Sequence, residues 1–454
     1  MSGGRIQLTA SGMQDVLLTQ NPQMSYFLKN YKRHTKFATQ TVEVPFEQAA
    51  HFGEQVRTKI PRTGDLIKEI YVRVTLPELD QDIVKDYDPV QQEFVGVKTY
   101  PTYCDSIGNA MLRRVDLAIG GQTISSINGE YMEIYNDMFV SKSQGTALES
   151  MTGRSYSVDG IGPASNVVYR TENGFSANGA FPRTFITPLR FWNTNEPGLA
   201  IPLVSLYKQE VEIIIELEEI ERLVISKLFD IKDHLKTDAQ LGGTPIHIEN
   251  MSLLVEYVQL SDEEVDYFQK APMRYTISQI QGIETTVQKG EDFTTFPKQI
   301  RTNFMNPVKE FYIITQDDTN RSRNMGIVST LTNDYFNFKN SLGTDHLKSL
   351  ELLFNNNTRI DKEIATGFYL RTVQPLQSHT KVPNRFIYNY SFALDPEMYS
   401  PTGQVNMSRI KDVLFNLYLN PSLGKDVNIR MYVKNYNVLV IQEGIAGLLF
   451  NNGS

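Results

Sequence analysis

The sequence predicts an all-β protein made of two similar antiparallel β-domains in tandem, and three observations predict it. Short segments with a two-residue hydrophobic period recur along the chain, turn-forming residues separate them, and three of the segments reappear in the same order in the second half. The 454 residues suit two or three domains, and a 41% apolar content is enough to build real cores, which excludes a mainly disordered chain.

Residues 67–76 put Ile70, Val72 and Val74 on one face and Glu69, Tyr71 and Arg73 on the other, the mark of a half-buried strand. Residues 210–217 repeat the pattern with Val211, Ile213, Ile215 and Leu217. Segments 251–260, 311–315, 388–393, 413–419 and 431–441 are rich in Val, Ile, Tyr and Phe, which suit a pleated surface. Turn chemistry lies between them at Thr63-Gly64-Asp65, Gly120-Gly121, Asn128-Gly129, Pro197-Gly198, Gly242-Gly243, Asp395-Pro396 and Thr402-Gly403. Helices are few. Asn21-Pro22 reads as an N-cap with proline at the first helical position, predicting a helix over 23–31. Ser261 with Glu264 three residues later forms a capping-box pattern, predicting a short helix toward Lys270 that Pro272 stops.

Duplication rests on three pairs of segments. Residues 115–124 resemble 350–360, residues 208–217 resemble 409–419, and residues 250–260 resemble 428–439, each pair flanking the Ser261 helix in the same order. The expected layout is an amino-terminal arm (1–25), a first β-domain (26–260), a connecting helix (261–270), a second β-domain (271–442) and a short tail (443–454). The surplus length of the first domain falls in 80–102 and in the Gly/Ser/Asn-rich 141–183, read as large surface loops.

Charge and motif content exclude several kinds of chemistry. With 44 basic and 52 acidic residues the chain is net −8, which argues against a dedicated nucleic-acid binder. Cys104 is the single cysteine, so no intrachain disulfide can form and a reducing compartment is expected. Residues 1–10 lack the apolar core of a signal peptide, and no apolar run of about 18 residues occurs, so a soluble, cytosol-made protein is expected. His34, His51, His234, His247, His346 and His379 show no metal-ligand spacing. Neither a nucleophile elbow nor a phosphate-binding glycine loop is present, and Gly160-Ile161-Gly162 reads as a flexible turn. Two carboxylate clusters, Glu216-Glu218-Glu219-Glu221 and Asp262-Glu263-Glu264-Asp266, read as a solvated strand end and a helix amino terminus. The basic stretch Lys29, Lys32, Arg33, His34 and Lys36 reads as cations complementing the end of the 23–31 helix, or as a docking patch for an acidic partner or anionic lipid. Aromatic residues, including the single tryptophan Trp192, read as core and interface. The sequons at Asn356 and Asn389 read as chance matches. No catalytic, cofactor-binding or metal-binding residue is predicted.

A family resemblance joins this reading. Gln14-Asp15-Val16-Leu17-Leu18-Thr19-Gln20-Asn21-Pro22-Gln23, followed by residues 31–38, resembles the amino-terminal signature of major capsid proteins of nucleocytoplasmic large DNA viruses. Residues 60–67 and 197–203 are similar to that family's next blocks, as are Tyr390-Ser391-Phe392-Ala393-Leu394, Pro401-Thr402-Gly403, residues 406–410, 432–439 and 444–448. Gln20 stands where the family commonly has glycine. The resemblance implies a double jelly roll, two eight-stranded sandwiches standing normal to a shell. It implies a non-enzymatic capsid subunit of a large icosahedral double-stranded DNA virus. Three chains would form a pseudo-hexagonal capsomer contacting neighbouring capsomers and minor capsid and penton proteins. The arm is expected at the capsomer base, touching a neighbour, a minor capsid protein or the inner viral membrane, and the outer loops would face the host, with no direct nucleic-acid contact. Such a protein is expected in the virion after assembly in the host cytoplasm. The competing expectation is a carbohydrate-binding or carbohydrate-active sandwich, which needs an aromatic groove with a carboxylate pair or a calcium site.

Overall fold

The two-residue periods assemble into two matched pairs of sheets. A computed structural model of the chain describes residues 2–29, 31–76, 82–88, 93–99, 102–154, 183–194, 196–225, 247–318, 335–340, 343–421 and 425–450. The first set of strands is β1 (Phe37–Pro45), β2 (Gln55–Lys59), β3 (Leu66–Leu76), β4 (Leu112–Ile119), β5 (Gln122–Ile127), β6 (Arg183–Pro188), β7 (Val211–Leu217) and β8 (Asn250–Leu260). The second set is β9 (Met273–Val287), β10 (Lys298–Arg301), β11 (Pro307–Asp317), β12 (Leu347–Phe354), β13 (Asn357–Ile360), β14 (Ile387–Ser391), β15 (Val413–Leu419) and β16 (Val427–Gln442).

Strand order is the same in both sets. The first forms sheets β1-β8-β3-β6 and β2-β7-β4-β5; the second forms β9-β16-β11-β14 and β10-β15-β12-β13. Adding eight to each label of the first set gives the second. Even minor features repeat: Ile201–Pro202 pairs with β3 and leads into a 3₁₀ turn at Leu203–Ser205, while Val405–Asn406 pairs with β11 and leads into one at Met407–Arg409. Each set is a jelly roll, and the chain is a double jelly roll. The three similar segment pairs fall on equivalent strands: the β4–β5 and β12–β13 hairpins, β7 and β15, and β8 and β16. Both hairpins turn through two residues with positive φ, Gly120-Gly121 in one and Asn355-Asn356 in the other. That backbone matches strand twist and explains the small-residue signal in the sequence.

Burial follows the period in β7, where Val211, Ile213, Ile215 and Leu217 are buried and the residues between them half-buried. In the second roll Phe311, Ile313, Phe415, Leu417, Ile429, Met431 and Val433 form the interior, with Phe311 edge-on to Phe415 at 5.3 Å. β11 departs from the pattern, being buried on both faces from Val308 onward. Phe311 and Ile313 face the second core, whereas Tyr312 and Ile314 join the core of the first roll. The outer face of sheet β9-β16-β11-β14 is therefore covered by the first roll.

Four local expectations change. The described residues of 23–31 are not helical; the unit Met1–Phe37 holds short helices at Gly3–Thr9 and Met13–Thr19. Asn21 takes a left-handed φ of 53° just past the second helix, with Pro22 following, so the pair stops a helix rather than starting one. The connector helix spans Asp262–Lys270, but Ser261 caps it without a side-chain bond; its carbonyl accepts from Glu264 and Val265. Asn128-Gly129, read as a turn, is the N-cap and first residue of the helix Gly129–Met138. Of the surplus segments, Asp82–Asp88 pairs with Glu93–Thr99 as a hairpin and Lys142–Thr152 is a helix, while 155–182 lie outside the described residues. Past β16, Ile445–Leu448 turns back and pairs with it.

Candidate functional site

The feature that makes one body of two rolls is the seam between them, built around the Gly129–Met138 helix. All ten of its residues are buried. The Asn128 side chain accepts from the Tyr131 N–H at 2.8 Å, and its amide donates to the Tyr432 hydroxyl of the second roll at 3.0 Å. Gly129 is required by close approach: a Cβ there would sit 2.0 Å from the Asn109 carbonyl oxygen.

Glu130, Glu133 and Asp137 stand at i, i+3 and i+7, so one face of this buried helix carries three carboxylates. The second roll answers with cations. Arg430 pairs with Glu130 at 2.9 Å, Arg385 with Glu133 at 2.9 Å and with Asp105 at 2.7 Å, and Lys381 with Asp137 at 3.3 Å. Arg154, from the first roll, reaches Asp137 at 2.8 Å and Glu133 at 3.2 Å. Burial would raise the Asp137 pKa, but Arg154, Lys381 and a backbone N–H from Arg385 together hold it below the usual carboxylate value. Further bonds cross the seam from Gln279 to the Ile124 carbonyl and from the Tyr335 hydroxyl to Glu218.

A second charged cluster lies within the second roll and opens toward a cleft at the seam. Glu310 is fully buried, with His379 Nε2 at 3.1 Å and Lys434 Nζ at 3.5 Å; His379 Nδ1 lies 3.3 Å from Glu397. Burial opposes ionisation of both partners. The cations nonetheless hold Glu310 at about 2, and the two carboxylates push His379 up to about 9. Lys309 is pushed down to about 7 by burial and by the Lys434 charge.

The residues singled out in the sequence are scattered. His34, His51 and His247 are exposed, His346 is buried 3.5 Å from Asp317, and His234 lies outside the described residues, as does Gly160-Ile161-Gly162. Glu216 pairs with Arg113, buried Glu218 serves the seam, and Asp266 pairs with Lys270 within its helix. The described basic residues at 29–36 are exposed and follow no helix end, which removes the dipole explanation for them. Cys104 is buried and in no disulfide. Among the described residues no group of three or more His, Cys, Asp or Glu is placed to hold a metal, and no helix is long and apolar enough to cross a membrane. The seam carboxylates escaped the sequence reading, although three acidic residues on one face of a mainly apolar 127–140 stretch are a signal that finds them.

Comparison with known proteins agrees with this architecture. The family model described as "Major capsid protein N-terminus" matches residues 25–261, and the one described as "Large eukaryotic DNA virus major capsid protein" matches 264–447. The chain is 28% identical to the major capsid protein of Phaeocystis pouchetii virus and 29% identical to that of Paramecium bursaria Chlorella virus 1, with all of this chain and all of each relative covered. Its fold is similar to that of PBCV-1 VP54, with a TM-score of 0.73 at 23% identity, over 94% of this chain and 100% of that one. The chain belongs to the major capsid protein family of large eukaryotic DNA viruses.

Proposed function

We propose that the chain is a non-catalytic tile of an icosahedral viral shell, working as a homotrimer of pseudo-hexagonal outline. The single observation that carries this is the strand-for-strand equivalence of the two rolls. A true three-fold axis acting on a chain with an internal two-fold repeat places six similar rolls around the axis, and such tiles pack in hexagonal arrays through near-equivalent contacts. The seam supports the reading, because a tile must hold its two rolls at one fixed angle. The layout that fits is an amino-terminal arm, two rolls and a short tail, the rolls standing normal to the shell.

Trimer contacts need exposed apolar surface, and the second roll supplies it. Phe368 and Leu376 on one segment and Leu394 and Met398 on another are exposed, and Thr380 ties the two segments by donating its N–H to Glu397 at 2.6 Å. The arm, with its exposed basic stretch, suits a role at the capsomer base against a minor capsid protein or the inner membrane, and the particle is assembled in the host cytoplasm. Light scattering tests the core of the proposal: a mass three times that of the chain is expected, and a strict monomer at micromolar concentration overturns it. Removing the arm should leave trimers intact and impair shell assembly; normal particle yield from the truncated chain refutes its role.

A further inference from the structure

We propose that the cleft at the seam beside Trp192 binds a small tetrahedral oxyanion of the inorganic phosphate class, held by Lys309, Lys434 and Tyr436 of the second roll and Arg190 of the first. The cleft has a volume of about 60 Å³. At roughly 10–15 Å³ per water this is room for about four to six waters, enough for a five-atom oxyanion and far below the roughly 300–1,000 Å³ of sites for drug-sized ligands.

Its lining holds three cations, Arg190, Lys309 and Lys434, against two carboxylates, Glu196 and Glu397. Lys309 is only 3% exposed and Lys434 7%, yet their ammonium groups lie within hydrogen-bonding reach of each other. Lys434 shares Glu310 with His379, and Lys309 has no carboxylate in ion-pair contact among the described residues, although Glu310 and Asp395 act on it from farther away. Two buried ammonium groups side by side repel unless one loses its proton or an anion lies between them. Arg190, half-buried, donates among the described residues to the neutral Asn136 amide oxygen at 3.3 Å and packs over the Tyr135 ring, with Glu69 acting on it from farther away. The Tyr436 hydroxyl is shut off from solvent and has no hydrogen-bond partner among the described residues. A buried donor without an acceptor costs about 1–3 kcal/mol. One oxyanion supplies the missing acceptor and the missing negative charge together. Two carboxylates also line the cleft, but Glu196 is exposed at its rim and Glu397 is engaged by His379 and Thr380. Because Arg190 and the lysines belong to different rolls, a bound oxyanion straps the seam.

Trp192 is the only tryptophan and lines the cleft, so its fluorescence reports occupancy directly. The experiment is iodide quenching of the full-length protein, titrated with inorganic phosphate against chloride of equal ionic strength. Phosphate should protect Trp192 saturably and chloride should not. Tyr436→Phe removes only the orphan hydroxyl, so it should fold and weaken protection about tenfold, as loss of one hydrogen bond to a charged group implies. Lys309→Met should abolish protection. A nucleoside monophosphate, too large for the cleft, should protect no better than chloride. Phosphate protection no greater than that of chloride, an unchanged response in Tyr436→Phe, or equal protection by the nucleotide overturns the proposal.

Discussion

Replacing His379 by glutamine should remove stability in a pH-dependent way whose sign the structure sets. The imidazole side chain is fully buried between Glu310 and Glu397, with its ring edge-on to Phe139 at 5.0 Å. Its pKa is pushed up to about 9, against about 6.5 in an unfolded chain. The difference of about 2.5 units corresponds to about 3 kcal/mol. Because the folded value is the higher one, this stability is fully present below pH 6.5 and is lost as the pH climbs through 9. Glu310, held at about 2, reports the same contacts from the other partner, so the two contributions are not added. Lys309 works in the opposite direction. Its folded value of about 7 lies below the unfolded value of about 10.4, so protonating it costs stability that returns as the pH rises from 7. The two slopes oppose each other between about pH 7 and 9, and the profile of the native protein alone is nearly flat there. The informative quantity is the difference between native and His379→Gln unfolding free energies, from urea denaturation at constant ionic strength. It should be about 3 kcal/mol at pH 6 and approach zero by pH 10. A difference that is constant with pH, or that grows toward high pH, refutes the reasoning.

Three further outcomes follow from the geometry. Arg385→Met strips a cation from buried Glu133 and Asp105, which should cost about 3–5 kcal/mol and split a single calorimetric transition into two as the rolls uncouple; one transition with a loss below about 1 kcal/mol contradicts it. Gly129→Ala forces a Cβ against the Asn109 carbonyl, with an expected cost of about 1–3 kcal/mol or more, read as a lower Tm, whereas Gly198→Ala, with open space around it, serves as the neutral control. Leu394→Asp, at a side chain 86% exposed, should leave the Tm of the chain near its native value and abolish the trimeric mass in light scattering.

Legibility in the sequence followed how local each cause was. β3 and β7 were readable because one face of each is apolar and the other is not. The β4–β5 turn was readable because left-handed turns select residues such as Gly120-Gly121, and its counterpart at Asn355-Asn356 only through the resemblance of 350–360 to 115–124. β11 and β16 were recognisable as strands but not as strands buried on both faces, since that burial comes from a roll more than a hundred residues away in sequence. The Gly129–Met138 helix was missed for a related reason: its acidic face is buried against cations from the other roll, so it has no solvent-facing side, and Asn128-Gly129 looks the same at a helix start as at a turn. Asn21-Pro22 misled through the same ambiguity, since asparagine followed by proline suits either end of a helix. The seam charges were visible as acidic residues, but their partners Arg385 and Arg430 come from another roll.

The chemistry of the seam bears on what a tile must do. An apolar seam of equal area would hold two rolls together at least as strongly, because desolvating several ion pairs offsets much of their attraction. Apolar contacts are nondirectional, however, and let one sheet slide or rotate on its neighbour with little penalty. The Arg385 fork, engaged with Asp105, Glu133 and the Phe336 carbonyl, is satisfied at one docking only, and so is Arg430 between Glu130 and Gln316. Any other angle between the rolls leaves buried charges unpaired, at several kcal/mol each. The polar seam thus turns a duplicated jelly roll into a body of one shape. That constancy matters in a hexagonal array, where an angular error in one tile is passed to every neighbour. Replacing Asp105, Glu133 and Arg385 together with apolar residues should therefore preserve or raise the Tm while broadening the distribution of angles between rolls in single-particle images. Unchanged uniformity in that variant shows that shape is set by the apolar contacts instead.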